Sequence, residues 1–331
     1  MENREESRLT SAELANLWRL YITENLMYQF KTPLIDNCQD PDIRSAIEFS
    51  RAISEHYIVS IENIFRNENY PVPTAYSEND IHPQAPALFT DVFCLHFIHQ
   101  GAQLGMSKIH EMMAVAVRQD VWEVLNQGAN DFKDLYQQSL QLLLTKGLYS
   151  RPAFLPPEKE SRFAENKHYV SGWLGNQRPL NALEIMSIHN TIIQNGISKA
   201  ILRAFAQVIN DKKLRDYLEK GAETASDIMR ELEDWLIMEN TNVTATLDSE
   251  ILPTETPPYS DKLMMMLIAN VGVGSLGVYG NALSTVFRRD LGLKFMHLMK
   301  DAVQYAQEGL HLVIDKGWME VPPQFPDINT R

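Results

Sequence analysis

Leu9-Thr10-Ser11-Ala12-Glu13-Leu14 returns, changed but recognisable, as Leu180-Asn181-Ala182-Leu183-Glu184-Ile185. The offset is 171 residues, and it holds well beyond these stretches. Asp40, Arg44 and Glu48 fall on Asp211, Arg215 and Glu219, and Glu62, Glu68, Asn69, Val72 and Pro86 fall on Glu233, Glu239, Asn240, Val243 and Pro257. After a one-residue deletion Arg118 and Asp120 fall on Arg288 and Asp290, and Lys146-Gly147 on Lys316-Gly317. A near-constant offset over this span means an internal duplication, and self-similarity of this kind determines the architecture before any local reading does.

The repeated unit reads as four helices. Thr10-x-x-Glu13 and Asn181-x-x-Glu184 are capping-box patterns, in which two side chains satisfy free N–H groups of the first turn. Asp40-Pro41 opens a second helix with a capping acid and a proline at the first helical position. Asp120 and Asp290 are read as caps of the fourth helix, and Lys146-Gly147 and Lys316-Gly317 as its end, where glycine can turn left-handed. Apolar spacing between these signals is helical, as in Ile43, Ile47, Ile58, Ile61 and Phe65. The helices are expected near 10–37, 42–69, 88–117 and 120–146, and near 181–209, 212–240, 261–288 and 290–316.

Two connections in each copy are short and make antiparallel neighbours. The connection from Tyr70 to Ala87 is long and proline-rich. A helix of ~28 residues is about 42 Å long, and an extended chain of ~18 residues reaches about 60 Å, so this loop can run the length of a bundle. A hairpin loop is the alternative; the crossover gives up-down-down-up order. The expected fold is all-α, two tandem ferritin-like four-helix bundles: residues 1–150, a linker at 151–179 rich in proline, charge and aromatics, and 180–331.

Bulk properties narrow the function. Lys plus Arg is 30 and Asp plus Glu is 43, a net charge of −13, which repels phosphate backbones and anionic lipid. Nucleic acid and membrane are therefore not expected as partners; a protein partner or a second copy of the chain is. Cys38 and Cys94 are far apart in sequence and form no disulfide framework, and the charged start Met1–Glu6 has no apolar stretch behind it. Both point to the cytoplasm.

The runs Lys146-Gly147-Leu148-Tyr149, Arg178-Pro179-Leu180-Asn181 and Thr256-Pro257-Pro258-Tyr259-Ser260-Asp261-Lys262-Leu263-Met264-Met265 resemble a two-repeat family of Bacillus-type spore formers, domain of unknown function family 3231. The resemblance covers nearly the whole chain. It implies a ferritin-like bundle in each half, and no established activity or ligand set.

Ferritin-like metal centres need carboxylates from two helices and Glu-x-x-His pairs from the other two. Only Glu308-Gly309-Leu310-His311 has that spacing. The fixed rise per residue nevertheless brings Glu24, Glu55, His56, His99 and Asp131 near one level of the first bundle. Imidazole with carboxylate suits iron, manganese or zinc. A secondary candidate is Glu223 with Glu308 and His311. The counterparts of the first cluster, Asn195, Ser226, Asp227, Asn270 and Asp301, are poor in ligands.

From Leu263 to Val286 no residue is charged. The stretch is long enough to span a bilayer, but it occupies the third-helix slot of a repeat and is expected to be buried, with its glycines in close helix contacts. Gly272-x-Gly274-x-x-Gly277 follows no strand and is not a dinucleotide site. No catalytic residue is assigned. The expected role is a non-catalytic, structural or interaction protein of a spore former; the alternative is a metal-dependent oxidoreductase using the mid-bundle cluster.

Overall fold

The computed structural model describes residues 8–172, 177–241 and 246–325. Among them are eight α-helices: α1 (Ser11–Asn37), α2 (Pro41–Asn67), α3 (Asp91–Met113), α4 (Gln119–Thr145), α5 (Ala182–Val208), α6 (Lys212–Met238), α7 (Asp261–Thr285) and α8 (Arg289–Asp315). Extended pairing among the described residues is limited to the isolated bridge Ile81–Tyr259.

Side-chain pairs fix the helix directions in each unit. In the first, Lys31 meets Ser50 and Glu24 meets Ser54, so α1 and α2 are antiparallel. Phe30 packs on Phe97 with ring centroids 5.0 Å apart, while Glu13 reaches Arg118 beyond the far end of α3, so α1 and α3 are antiparallel as well. Hence α2 and α3 run parallel, and the 68–90 connection travels the length of the bundle. In the second unit Ser187 meets Thr285 and Gln194 meets Ser275, which sets α5 against α7 in the same sense. Lys220 with Glu308 and Glu231 with Lys294 set α6 antiparallel to α8. Both units therefore have the up-down-down-up order.

The caps form largely as their residues dictate. Glu13 N donates to Thr10 Oγ1 at 3.2 Å and Thr10 N donates to the Glu13 carboxylate at 2.9 Å; Asn181 and Glu184 repeat the exchange at 3.0 Å each way. Gly147 and Gly317 take φ of +71° and +70°, the left-handed turn that glycine adopts without a Cβ clash. The caps of both fourth helices differ from expectation: α8 begins at Arg289, so Asp290 lies inside its first turn rather than before it. Arg118, not Asp120, is the N-cap of α4, and it makes no side-chain cap bond. Asp120 lies inside the first turn and holds the Arg118 guanidinium at 2.6–3.0 Å.

The helix N-caps also place the deletion. Thr90 caps α3, and Ser260 Oγ accepts from Leu263 N at the start of α7, an offset of 170. His99 therefore corresponds to Ala269, and Asn270 to Gln100.

The first compact unit is not one stretch of chain. It consists of Met1–Leu148, Thr256–Met266 and Lys316–Arg331; the second consists of Tyr149–Glu255 and Leu267–Asp315. The run 256–266 is thus built into the first unit. Tyr259, fully buried, donates its hydroxyl to Phe30 O at 2.8 Å, and its ring lies 5.0 Å from that of Phe30. Ser260 binds Asp80 twice, and Lys262 Nζ donates to Ala75 O at 2.9 Å. Glu320 adds a cap of its own, accepting from Thr74 N and Ala75 N.

Helix α7 is less buried than its composition suggests. Leu263, Met264, Met265, Leu267 and Ile268 are inside, but Val273 is 44% exposed and Gly277 and Asn281 are exposed beyond it. Close packing of its glycines is not found at two positions: a Cβ on Gly272 or Gly277 would meet no atom within 4 Å. Gly277→Leu is therefore not an overpacking substitution. Contact of that kind occurs elsewhere, at Gly128, where a Cβ would overlap the Tyr57 hydroxyl. Gly128→Ala should destabilise by roughly 1–3 kcal/mol, read by urea denaturation, whereas Gly101→Ala, which faces open space, should stabilise by up to about 1 kcal/mol.

Candidate functional site

The middle of the first bundle holds a buried polar core. Lys31 on α1 is 5% exposed, and its ammonium donates to Ser50 O and to Ser54 Oγ, both at 2.9 Å. Ser54, fully buried on α2, donates to Glu24 Oε2 at 2.6 Å. Glu24 lies seven residues before Lys31 on the same face of α1, so the hydroxyl of Ser54 stands between carboxylate and ammonium. Burial raises the pKa of Glu24, opposed by Lys31 and Ser54. Burial likewise lowers that of Lys31, to about 8, opposed by Glu24. Desolvation thus works against both charges, and the pair persists because each compensates the other.

His99 on α3 is 8% exposed and stacks on Tyr136, with ring centroids 4.8 Å apart. Its Nδ1 lies 3.0 Å from Ser139 Oγ, and that hydroxyl already donates to Leu135 O at 2.8 Å. Nδ1 must then carry the proton and donate, which leaves Nε2 as the acceptor nitrogen. Burial lowers the His99 pKa to about 4, with His96 adding to the shift. The unfolded imidazole, with an ordinary pKa near 6.5, binds a proton more tightly than the folded one. The stability His99 contributes is therefore present above about pH 6.5 and is lost as pH falls towards 4. We expect this to amount to roughly 2–3 kcal/mol of the acid lability. Comparing unfolding free energies at pH 7 and pH 4.5 for wild type and His99→Gln should show a flatter dependence in the variant; equal slopes would refute the assignment.

The remaining expected ligands are dispersed. Glu55 and His56 are exposed, because the inward face of α2 runs through Ile53, Ser54 and Tyr57. Asp131 is half-buried and accepts from Gln127 Nε2 at 2.9 Å. In the second bundle Glu308 pairs with Lys220 at 2.6 Å, while Glu223 and His311 are exposed. Among the described residues no three His, Cys, Asp or Glu side chains gather as a metal-binding group.

Two groups escaped the sequence reading. Lys31 and Ser54 sit at helical spacing from inward-facing neighbours, and that spacing could have flagged them. Cys38 and Cys94, distant in sequence, line one small cavity with Pro33, Leu34 and Tyr259. Burial pushes the Cys38 thiol up to about 12 and raises that of Cys94 further, so neither is a ready nucleophile.

The copies differ here. At the positions of Glu24, Lys31 and Ser54 the second bundle has Asn195, Leu202 and Ala225. Asn195 accepts from Tyr279 Oη at 2.9 Å and donates to Thr191 O at 2.8 Å, a neutral replacement for the charged core.

What repeats lies at one bundle end: the glutamate that holds the turn and the arginine–aspartate pair, with the third acid bound differently in the two copies. Glu13 accepts from Val117 N and Arg118 N at 2.9 and 2.8 Å, and Arg118 bridges Asp120 and Glu68. Glu184 accepts from Phe287 N and Arg288 N, Arg288 holds Asp290, and Glu239 accepts from Leu180 N. Burial opposes ionisation of Glu13, but its backbone donors outweigh it and lower the pKa. At Glu184, Arg178 and the backbone donors do the same. These clamps join the start of the first helix to the turn between the third and fourth.

A family model described as "Protein of unknown function (DUF3231)" matches residues 1–160 and again 169–330. No curated protein matches the chain. A solved structure of a candidate spore coat protein from Bacillus halodurans C-125 aligns over 48% of this chain and 100% of its own, at 19% identity and a TM-score of 0.41. That likeness is too slight to transfer a property.

Proposed function

We propose, for a chain that belongs to the DUF3231 family in both of its halves, a non-catalytic role as a helical structural or interaction protein. One observation carries the reading. The cation that compensates the buried Glu24 carboxylate is the protein's own Lys31 ammonium, relayed by Ser54. A metal at mid-height of this bundle would have to displace that ammonium and draw in Glu55 and His56, which face solvent. Cytoplasmic location and service in a spore-forming cell belong to the same proposal. So does a protein partner rather than nucleic acid or membrane, which the charge of −13 supports.

The test is metal content and metal-linked stability. Protein purified without chelators should carry no stoichiometric iron, manganese or zinc, and adding each should leave the melting temperature unchanged. A ligand that binds the folded state at 100 times its Kd adds about 2.7 kcal/mol, so a true site would be easy to see. A stoichiometric metal, with a shift lost in Glu24→Gln and His99→Ala, would overturn this reading in favour of a metal-binding protein, the first requirement of the oxidoreductase alternative.

A further inference from the structure

Helix α8 is apolar on two sides. Its inward side carries Leu291, Phe295 and Leu298, buried in the core of the second unit. Its solvent side carries Met296, Val303 and Leu310 at 55%, 41% and 43% exposure, followed by Ile314 at 51%. The first three recur every seven residues, the period of a helix-pairing seam. The fourth helix of the other copy has Asn126 and Lys133 at the places of Met296 and Val303. Leu310 and Ile314 keep apolar counterparts in Leu140 and Leu144, so the second copy extends an apolar run towards the start of its fourth helix.

Helix α7 continues the surface. A Cβ on Gly280 would lie 3.5 Å from the terminal methyl of Met299, so the α8 methionine lies against the α7 glycine. On α3 the equivalent face carries the ion pair Lys108–Glu111 at 2.8 Å; α7 has Val278 and Asn281 in those places. The second unit thus has a two-helix face from which charge has been removed on one helix and replaced by large apolar groups on the other.

We propose that this α7–α8 face is the contact between two copies of this chain, related by a two-fold axis passing near Val303. The seam is self-complementary: with antiparallel α8 helices Val303 meets its own copy, and Met296, seven residues before, meets Leu310, seven residues after. Each chain carries a net charge of −13, so two copies approach best where acidic groups are absent, and the residues one turn either side of Val303 are Met299, Lys300, Ala306 and Gln307. The size also fits. Helix α8 is about 40 Å long and the part of α7 beyond Met266 about 28 Å; at about 10 Å of width each they offer roughly 700 Å², close to the ~800 Å² that each partner contributes to a standard interface. This deepens the interaction role proposed above by naming the partner. A stoichiometric catalytic metal would overturn that role and leave the dimer standing, whereas a monomer overturns only the dimer.

Sedimentation velocity over a concentration series tests it on the full chain. Wild type should sediment at twice the chain mass. Val303→Lys, which copies the residue α4 carries at the equivalent place, should keep the helical spectrum and weaken association about 100-fold by placing like charges across the axis. Val59→Lys, at an exposed position of α2, should leave the dimer intact. Mixing Val303→Lys with Val303→Glu should restore a dimer, because only a two-fold at this residue brings the two substitutions together. A wild type that stays monomeric, a dimeric Val303→Lys, or a mixture that fails to associate overturns the proposal. A monomer that floats with phosphatidylcholine vesicles overturns it in favour of lipid.

Discussion

Lys31→Leu is expected to destabilise the first bundle by about 3–5 kcal/mol, because it leaves Glu24 buried without its counter-charge. Glu24 is 5% exposed, so the carboxylate must either take up a proton or lose its hydration unpaid by any cation. Glu24→Asn should be costly for the mirror reason, since it strands the ammonium among Ser50 and Ser54. The triple change Glu24→Asn, Lys31→Leu, Ser54→Ala installs what the second bundle already has at Asn195, Leu202 and Ala225. It should recover most of the loss, since replacing a whole buried pair by well-packed residues is often neutral. Denaturant titrations of the single and combined variants form a cycle. Simple additivity would show that the two charges do not depend on each other; a coupling of about 2–3 kcal/mol is expected.

Glu184→Ala should cost the second bundle about 4 kcal/mol or more. The carboxylate is fully buried and accepts from Phe287 N at 3.1 Å, Arg288 N at 2.9 Å and Asn181 N at 3.0 Å, with Arg178 at 2.7 and 2.8 Å. Alanine strands three backbone donors and a guanidinium at once, and each unsatisfied donor costs about 1–3 kcal/mol. Glu184→Gln keeps an acceptor oxygen but turns an amide group towards Arg178, so it should fall in between. Hydrogen exchange should speed up first at the amides of Asn181, Phe287 and Arg288. Unchanged protection there in Glu184→Ala would contradict the clamp.

Much of the fold was legible because caps and periodicity are local. Every helix lies within a few residues of its expected range, and the long loop told which helices run parallel. Helix α3 begins three residues late, at Asp91 instead of 88, since Thr90 rather than the preceding proline-rich turn supplies the cap. The candidate site was less legible. Glu24 and His99 reach the interior as their helical positions suggest. Glu55 and His56 were placed by height along the bundle, and height ignores rotation; one residue on α2 turns the side chain by 100°. Lys31 escaped notice because an isolated lysine on a long helix ordinarily lies in water, and only the opposing Ser50 carbonyl and Ser54 hydroxyl hold it inside. The exposed side of α7 was misjudged for a related reason. Composition reports how apolar a helix is, and burial depends on whether a neighbour covers it.

The first unit draws Tyr259 and Glu320 from far down the chain, and this constrains the order in which the protein can be made. During synthesis the first four helices leave the ribosome long before residues 256–266 exist. Until then Phe30 lacks the Tyr259 ring and the Phe30 carbonyl lacks its hydroxyl donor. Contacts at separations of more than 200 residues close slowly, because the intervening loop must lose its freedom first. The nascent first repeat therefore waits as an incomplete bundle with an apolar site open, the kind of intermediate on which chaperones act. A translation product stopped after residue 160 inherits that defect permanently, although it contains one full copy of the repeat.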